Sequence, residues 1–356
     1  MGTQKRILIC PLNWGLGHAT RCIPIIRALL DCNYEPVIAS SGRPGILLKE
    51  VFPSLEHINF PDYNIRYGKY MTLSMMFQFP KLVFSIRKEH QLLKEIITNH
   101  RIDAVFSDNR FALYTDDIPC VYMSHQLAIQ APFAEGILFR MHRWFIRKYD
   151  ACWIPDAATS PNLSGRLSHG HTLDKHQMFI GPLSRFSNSD KHKTEQNRLL
   201  IILSGPEPQR SILEEKLKAS VQNHKGEVVI VRGVTESKET ESTGHISMLD
   251  APTTKELQKE IEKAEWIVSR PGYSSMMDYS HFDKKLILIP TPGQTEQEYL
   301  ASYYDKNNNV VCLDQNNFDL KKALEKSDSL GFFQCEIKEE RNWASLFSLF
   351  ECKRKG

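Results

Sequence analysis

The sequence predicts an α/β fold with two lobes in series, each built on a parallel sheet that is covered by helices. The chain has 356 residues, which is about twice the usual size of one domain. Its first half alternates short β-rich runs with segments of helical period, and the same alternation begins again in the second half. This alternation is typical of parallel sheets with helices on both faces.

In the first half, a helix is predicted from Ala19 to Cys32, between the first two strands. The predicted strands of this half are residues 6–10, 36–40, 103–108 and 120–124. A loop-like region follows, and the polar stretch over residues 187–197 separates the two halves. We therefore expect a first lobe over residues 1–183 and a second over residues 184–340.

The second half repeats the pattern of strand and helix. Its predicted elements are strands within 198–205, 226–233, 266–272 and 285–293, and helices over 209–221 and 255–264. In the tail, residues 341–356, apolar residues recur at spacings of three and four from Trp343 to Phe350. We expect this segment to form a helix that packs back across a lobe.

The composition limits the classes of function. With 41% hydrophobic and 24% charged residues the chain is that of a globular protein, and a formal charge of +3 gives no reason to expect a nucleic acid partner. The eight cysteines include no CxxC pair, and several lie among apolar residues as free buried thiols do. We therefore expect the protein to be located in a reducing cytoplasm. No stretch approaches the roughly 20 apolar residues that cross a bilayer.

The first candidate site is a glycine-bearing loop between the first strand and the first helix. It contains Asn13, Gly15, Gly17 and Thr20, with His18 at the start of the helix. Loops at the carboxyl ends of parallel strands bind ligands, so His18 is the candidate general base or acceptor ligand. The alternative is a tight turn with a capping histidine. A dinucleotide site is not expected, because the full GxGxxG pattern is missing.

Two further loops of this kind lie in the second half. Ser269–Ser275 follows a predicted strand, and the hydroxyls and free N–H groups at the next helix start suit a diphosphate. Pro290–Tyr299 follows another strand and carries side chains that can hydrogen-bond sugar hydroxyls. The candidate donor-binding residues in these loops are Arg270, Gly272, Ser274, Ser275, Gln294, Glu296, Gln297 and Glu298. The alternative for each loop is ordinary turn or N-capping chemistry.

Three motifs carry a resemblance to a known family: GLGHATR over 15–21, SRPGYS over 269–274 and PTPGQTEQE over 290–298. The second half resembles the C-terminal domain of family 28 glycosyltransferases, which include the N-acetylglucosaminyltransferase that completes the lipid-linked peptidoglycan precursor. The resemblance covers most of residues 1–315. It implies a GT-B fold, with two Rossmann-like lobes facing each other across a cleft, the first for the acceptor and the second for the nucleotide sugar.

The resemblance also implies roles for individual residues. Asp278 falls where the family has an acidic residue, usually Glu, that binds the ribose of the UDP donor. Gln297 and Glu298 fall where the peptidoglycan enzyme has paired glutamines on the donor sugar, so Glu298 indicates a different sugar. Ser204 and Gly205 fall at a phosphate-binding loop, and His18 matches the histidine of the family's N-terminal glycine loop.

The expected reaction is the transfer of a hexose or N-acetylhexosamine from a UDP-sugar to an acceptor hydroxyl. His18 suits the base of an inverting transfer, and Asp108, at the end of a strand, either lines the acceptor side or braces its loop. No Asp-x-Asp occurs in the chain, so we expect neither a metal nor a cofactor, with the UDP-sugar as co-substrate. His169, His171 and His176 lie in a polar loop without further ligands at metal-binding spacing.

The acceptor is expected to be a glycan or a lipid-linked sugar. Residues 66–88 mix aromatic and aliphatic with basic side chains, which suits either a core segment with a solvated face or contact with the inner surface of an anionic membrane. Two other functions stay open from the sequence: a nucleotide-sugar epimerase or hydrolase, since one fold hosts several chemistries, and a non-catalytic nucleotide-sugar-binding partner subunit.

Overall fold

A computed structural model describes residues 4–61, 87–128, 135–186, 193–234, 240–333 and 341–352. The chain divides into two compact units. The first comprises Met1–Leu183 together with Ile337–Gly356, and the second comprises Ser184–Glu336. Of residues 66–88, the expected membrane-contact segment, all but the last two lie outside the described residues.

The first unit contains a parallel sheet whose described strands lie in the order β3-β2-β1-β4-β5-β6-β7. The strands are β1 (Arg6–Pro11), β2 (Glu35–Ser40), β3 (Glu56–Asn59), β4 (Ala104–Asp108), β5 (Cys120–Met123), β6 (Ala151–Ile154) and β7 (Gln177–Phe179). Its helices are α1 (Leu16–Asp31), α2 (Gly42–Val51), α3 (residues 87–99 as described) and α4 (Glu135–Ile146). The strand order reverses between β1 and β4, and the carboxyl ends of strands at such a reversal form the usual ligand site of this topology.

The middle residues of the central strands are apolar, as expected of a sheet covered on both faces. Ile7 to Cys10 of β1 and Val105 and Phe106 of β4 have no exposed surface. On α1, Ala19, Cys22, Ile23, Ile26 and Leu29 are buried at helical spacing. This packing fixes the first turn of α1 above the carboxyl end of β1.

The second unit repeats the arrangement, with strand order β10-β11-β9-β8-β12-β13-β14. Its strands are β8 (Leu199–Ile202), β9 (Val228–Val231), β10 (Thr240–Thr243), β11 (Ile246–Leu249), β12 (Trp266–Ser269), β13 (Lys285–Leu288) and β14 (Val311–Cys312). Its helices are α5 (Gln209–Ser220), α6 (Thr254–Lys263), α7 (Tyr273–Tyr279), α8 (Thr295–Asn307) and α9 (Leu320–Leu330). Only the β10–β11 pairing is antiparallel among the described strands. The predicted two-lobed α/β fold is confirmed.

The tail belongs to the first unit. It forms a short helix, α10 (Trp343–Phe347), followed by one 3₁₀ turn over Ser348–Glu351. Phe347 and Phe350 are buried and pack edge-on against Tyr34, with ring centroids 5.8 and 6.2 Å away. Arg341 donates a hydrogen bond to the carbonyl of Pro182 over 2.6 Å. The tail therefore closes one side of the first unit's core.

Because Phe347 is fully buried, truncating it should open a cavity in this core. We expect Phe347→Ala to lower the free energy of unfolding by about 3–5 kcal/mol, measured by urea denaturation of the full chain. Ser345→Ala, at an exposed position of the same helix, is the matched control and should change stability by less than about 0.5 kcal/mol. An equal, small effect of both substitutions would show that the tail does not pack on the core.

Among the residues that the structure describes, no helix combines the length and the apolar character needed to cross a membrane.

Candidate functional site

The loop between β1 and α1 has the conformation that its glycines allow. Gly15 precedes α1 with a φ of 81°, in the left-handed region that favours glycine. Thr20 donates its hydroxyl proton to the carbonyl of Gly17 over 3.0 Å, within the first turns of the helix. The amide of Asn13 lies against Gly42, the first residue of α2, where an added Cβ would come within 2.9 Å of Nδ2. The loop is therefore closely fitted to its neighbours.

His18 and Asp108 meet at the reversal point of the first sheet. His18 lies in the first turn of α1, and Asp108 is the last residue of the neighbouring strand β4. The Nδ1 atom of His18 is 3.0 Å from Oδ2 of Asp108. Asp108 has no exposed surface, whereas the His18 side chain is 12% exposed. Two residues that are 90 positions apart thus form a histidine–carboxylate pair in which the imidazole is slightly exposed and the carboxylate is fully buried.

Arg21, one turn further along α1, also binds Asp108. Its Nε donates to Oδ2 over 2.8 Å and its Nη2 donates to Oδ1. The same guanidinium reaches two histidines, with Nη1 2.8 Å from Nδ1 of His125 and Nη2 2.8 Å from Nδ1 of His18. Arg21 is 2% exposed. The site is therefore a buried cluster of His18, Arg21, Asp108 and His125.

The sequence interpretation did not identify Arg21 and His125 as members of this site, although each carries a signal. Arg21 follows His18 by three residues, so both lie on one face of α1. His125 comes two residues after β5, which pairs with β4, so it lies at the same end of the sheet as Asp108.

The charges around His18 decide the ionisation of the cluster. Burial lowers the pKa of His18, and the positive charge of Arg21 lowers it further, against the opposing attraction of Asp108. Burial raises the pKa of Asp108, but the charge of Arg21 and the hydrogen bonds from Arg21 and His18 outweigh it and leave the pKa below its ordinary value. Near neutral pH the cluster thus contains an anionic Asp108 and an uncharged His18.

The loop after Asp108 is held by buried polar contacts. Asn109 has a left-handed φ of 59°, and its side-chain oxygen accepts the hydroxyl proton of Tyr122 over 2.7 Å. Arg110 has no exposed side-chain surface, pairs with Glu89, and donates to the carbonyl of Pro11 at the end of β1 over 3.2 Å. The contact of Arg110 with Pro11 holds the loop after β4 against the carboxyl end of β1.

In the second unit, the loops after β8, β12 and β13 lie side by side at the carboxyl end of the sheet. Ser204 and Gly205 follow β8 and are exposed, and Gly205 has a φ of 108°. An added Cβ on Gly205 would lie 3.6 Å from the hydroxyl of Thr291, which follows β13. Thr291 is 5% exposed, and its buried hydroxyl has no hydrogen-bond partner among the described residues. Thr291, which the sequence did not suggest as a site residue, is therefore a buried polar group beside Gly205.

Arg270, expected to bind the donor, is buried beneath these loops. Its Nη1 donates to the carbonyls of Ile289 and Pro290 over 2.9 Å each, and its Nη2 donates to the carbonyl of Gln209 over 3.1 Å. Burial lowers the pKa of Arg270 to about 10. The structure thus gives Arg270 the role of a brace between loops, because both of its Nη atoms donate to oxygens of the unit itself.

Asp278, Gln297 and Glu298 also have partners within the unit. Asp278 is 4% exposed; its carboxylate accepts from the Ser184 hydroxyl over 3.0 Å and lies 3.2 Å from Nε of Arg185. Burial raises the pKa of Asp278, against the positive charge of Arg185. Oε1 of Gln297 accepts from the amide of Thr291, and Oε1 of Glu298 from the amide of Gly293, over 2.8 Å each. These side chains stabilise the loops that contain or neighbour them.

The remaining candidates lie at helix starts. Gly272 precedes α7, whose first turn contains Ser274 and Ser275, and Gln294 precedes α8, whose first turn contains Glu296; neither preceding residue caps its helix through a side-chain hydrogen bond.

The histidines of the loop before β7 have other partners. His169 lies 3.3 Å from the buried Asp156 and stacks on Phe179, and His171 packs against Phe139. Within the described ranges, no three His, Cys, Asp or Glu side chains converge in a way that could hold a metal ion.

The fold of this chain is that of several solved glycosyltransferases. Their similarity to it is measured by TM-score, identity, and the covered shares of this chain and of theirs. SnogD from Streptomyces nogalater has a TM-score of 0.65, 12% identity, and coverage of 98% and 100%. MurG from Acinetobacter baumannii has a TM-score of 0.54 and 12% identity, and the match covers 98% of this chain and 94% of MurG. The spinosyn rhamnosyltransferase SpnG, complexed with thymidine diphosphate, has a TM-score of 0.59 and 13% identity, and the match covers 97% of this chain and 95% of SpnG.

Most of the second unit also matches a protein family by its sequence. Residues 200–343 match the glycosyltransferase family 28 C-terminal domain. The family 28-like character that the motifs predict is thereby confirmed for this part of the chain. None of the curated protein sequences matches the chain.

Proposed function

We propose that this protein is a glycosyltransferase that moves a sugar from a nucleotide sugar to an acceptor hydroxyl. The observation that carries the proposal is the His18–Asp108 pair at the reversal point of the first sheet, in a chain whose second unit matches a glycosyltransferase domain. A buried carboxylate that fixes a partly exposed imidazole is an arrangement suited to general base catalysis.

His18 is the proposed base, acting through Nε2. Nδ1 of His18 lies within hydrogen-bond distance of both Asp108 and Arg21. The proposal takes the tautomer in which Nδ1 carries the proton and donates it to Asp108. That tautomer leaves Nε2 bare to accept the proton of the acceptor hydroxyl. The hydroxyl oxygen then bonds to the anomeric carbon as the bond to the nucleoside diphosphate breaks, and the diphosphate leaves with the electron pair. Attack opposite the leaving group inverts the anomeric centre, and base catalysis supplies about 10²–10⁴-fold.

The donor diphosphate is proposed to bind at the loops after β8, β12 and β13. The exposed backbone of Ser204 and Gly205 and the unpartnered hydroxyl of Thr291 supply hydrogen-bond donors of the kind that bind phosphate oxygens. Ser274 and Ser275 remain candidates for the same group. Arg270, Asp278, Gln297 and Glu298 support the loops in this proposal and do not serve as the principal ligands.

The finer identity of the substrates follows the family 28 match. We propose UDP as the nucleotide, a hexose or N-acetylhexosamine as the sugar, no metal, and a glycan or lipid-linked sugar as the acceptor. A cytoplasmic location, with peripheral contact to the inner membrane surface, completes the proposal. The cysteines among the described residues are all free thiols, which suits a reducing compartment.

The test is calorimetric titration of the full chain with UDP, thymidine diphosphate, UDP-N-acetylglucosamine, UDP-glucose, UDP-galactose and GDP-mannose. Incubation of the tightest-binding nucleotide sugar with candidate acceptors then follows, with the anomeric configuration of the product read by NMR. Saturable nucleotide binding and an acceptor-dependent product are expected. Release of free sugar or an epimer without acceptor would support hydrolysis or epimerisation, and a chain that binds no nucleotide is not a transferase by this route.

A substitution at Gly205 tests the location of the diphosphate. Gly205→Val places a branched side chain at a left-handed φ, beside Thr291, so we expect it to weaken nucleotide binding by about tenfold or more. Gly244→Val is the matched control, because Gly244 also has a left-handed φ, of 62°, but lies in the β10–β11 turn. Equal affinities of the two variants, measured by the same titration, would place the diphosphate elsewhere.

A further inference from the structure

The buried cluster around Asp108 contains one negative charge and one permanent positive charge. Both carboxylate oxygens of Asp108 accept from the guanidinium of Arg21, and neither side chain has more than 2% of its surface exposed. The negative charge of Asp108 and the positive charge of Arg21 therefore cancel within this bidentate pair when His18 is uncharged. A proton on His18 would therefore add an uncompensated positive charge to a largely buried site.

The arrangement differs from a simple histidine–carboxylate pair. In such a pair, the negative charge favours the imidazolium form and draws a proton onto the ring. Here the guanidinium of Arg21 stands 2.8 Å from Nδ1 of His18, closer than the 3.0 Å that separates Nδ1 from Asp108. The attraction of the Asp108 carboxylate for a proton on His18 is thus opposed by the positive charge of Arg21 at the same atom, Nδ1.

Among the residues that the structure describes, His125 and Cys22 also face the cluster, and neither adds a negative charge. His125, in the loop after β5, has its Nδ1 2.8 Å from a guanidinium nitrogen of Arg21, and an imidazole carries no negative charge in either of its ordinary protonation states. The Cys22 thiol lies 3.9 Å from Asp108, and burial, with the charge of Asp108, raises its pKa well above the ordinary value. Arg21 thus supplies the larger of the positive charges that oppose Asp108 at His18, ahead of His125.

We propose that Arg21 is a positioning residue of the acceptor site, which fixes the carboxylate of Asp108 and holds His18 uncharged at mildly acidic as well as neutral pH. The part of this proposal that concerns the acceptor rests on the proposed function. The ionisation of His18 does not, because it is a property of the folded protein without substrate. His18 is then ready to accept a proton over a wider pH range than a histidine paired with a carboxylate alone.

The test is an NMR titration of the full chain with isotopically labelled histidine, where the His18 signals are assigned from His18→Gln. In the unsubstituted protein His18 should titrate below the ordinary histidine value of about 6.5. In Arg21→Gln its midpoint should rise by about 1 pH unit or more, since the attraction of Asp108 is then unopposed. Arg21→Lys, which keeps the charge, should keep the low midpoint, and the signal of His245 in the second unit should not respond to either change.

The possible outcomes separate this proposal from the proposed function. If His18 of the unsubstituted protein titrates at or above the ordinary value, the role of Arg21 is refuted whether or not transfer is observed, and this measurement does not depend on the variants' folding. If the midpoints shift as expected but no sugar transfer is found, the role of Arg21 in the cluster stands and the proposed function fails. With an active enzyme, the acidic limb of kcat/KM should move upward in Arg21→Gln by the shift that NMR measures, whereas a merely structural role would lower activity without moving the limb.

Discussion

Replacing His18 by alanine should lower kcat by about 10²–10⁴-fold while nucleotide binding stays unchanged. The loss is that of a general base, because the acceptor hydroxyl would then have to lose its proton to water. The reason that nucleotide affinity persists is that the proposed diphosphate loops belong to the second unit and His18 to the first. Initial rates of product formation and calorimetric titration of the same protein measure the two properties separately.

His57→Ala is a suitable control for this prediction. His57 lies on β3 of the same unit, and its Nε2 is 2.9 Å from the carbonyl of Phe52, so it has no place in the cluster. We expect it to retain the activity of the unsubstituted protein. If His18→Ala retained that activity as well, another group would have to be the base, and His125 would be the first to replace.

Removing the carboxylate of Asp108 should be the most destabilising single change in the first unit's site. Asp108→Ala leaves the guanidinium of Arg21 buried without its anion, and such a loss costs about 3–5 kcal/mol. Urea denaturation of the full chain measures it. The same change removes the acceptor for the Nδ1 proton of His18 in the proposed tautomer. The folded fraction of Asp108→Ala should therefore have a kcat as low as that of His18→Ala.

The double variant Asp108→Asn with Arg21→Gln distinguishes a charge effect from lost packing. It removes both buried charges and keeps side chains of similar shape that can hydrogen-bond each other, so we expect it to be more stable than Asp108→Ala. If the two proteins unfold at the same urea concentration, the lost contacts of Asp108 decide its contribution to stability, and the unpaired charge of Arg21 does not.

The stability of the site should also depend on pH. The folded-state pKa of Asp108 is depressed, chiefly by Arg21 against the effect of burial, so its contribution is present above the unfolded value of about 3.9 and is lost as the pH falls. The folded-state pKa of His18 is depressed too, by burial and by Arg21. The unfolded chain therefore binds this proton first, and stability begins to fall once the pH drops through about 6.5.

The parts of the structure that the sequence predicts are those with local signals. The helices predicted over 209–221 and 255–264 are found within one residue at each end. Both can be predicted because the apolar periodicity and the capping residues of a helix belong to its own segment. Thr253 and Glu256, for example, form a capping box at the start of α6. The hairpin of β10 and β11 was missed. Its strands, TEST and ISML, are short and mostly polar or partly exposed, so neither carries a clear alternation.

The same distinction holds for the candidate site. His18 could be identified because the glycine loop precedes it directly. Its bond to Asp108 depends on β1 and β4 being neighbours, which the order of strands in the chain does not reveal. Asp278 has the residue type that a ribose ligand needs, yet its carboxylate is paired with Arg185, and that contact arises from a segment 93 positions away.

Arg110 and Arg270 bear on how readily the specificity of this protein can change. Each is a buried arginine that donates to main-chain oxygens as well as to a side chain: Arg110 to the carbonyls of Pro11 and Pro61, and Arg270 to those of Ile289, Pro290 and Gln209. A carbonyl is supplied by every residue type, so mutations that alter the side chains of these loops leave their mutual spacing intact. Substrate preference can therefore drift, or be redesigned one loop at a time, while the scaffold that presents the loops is inherited unchanged.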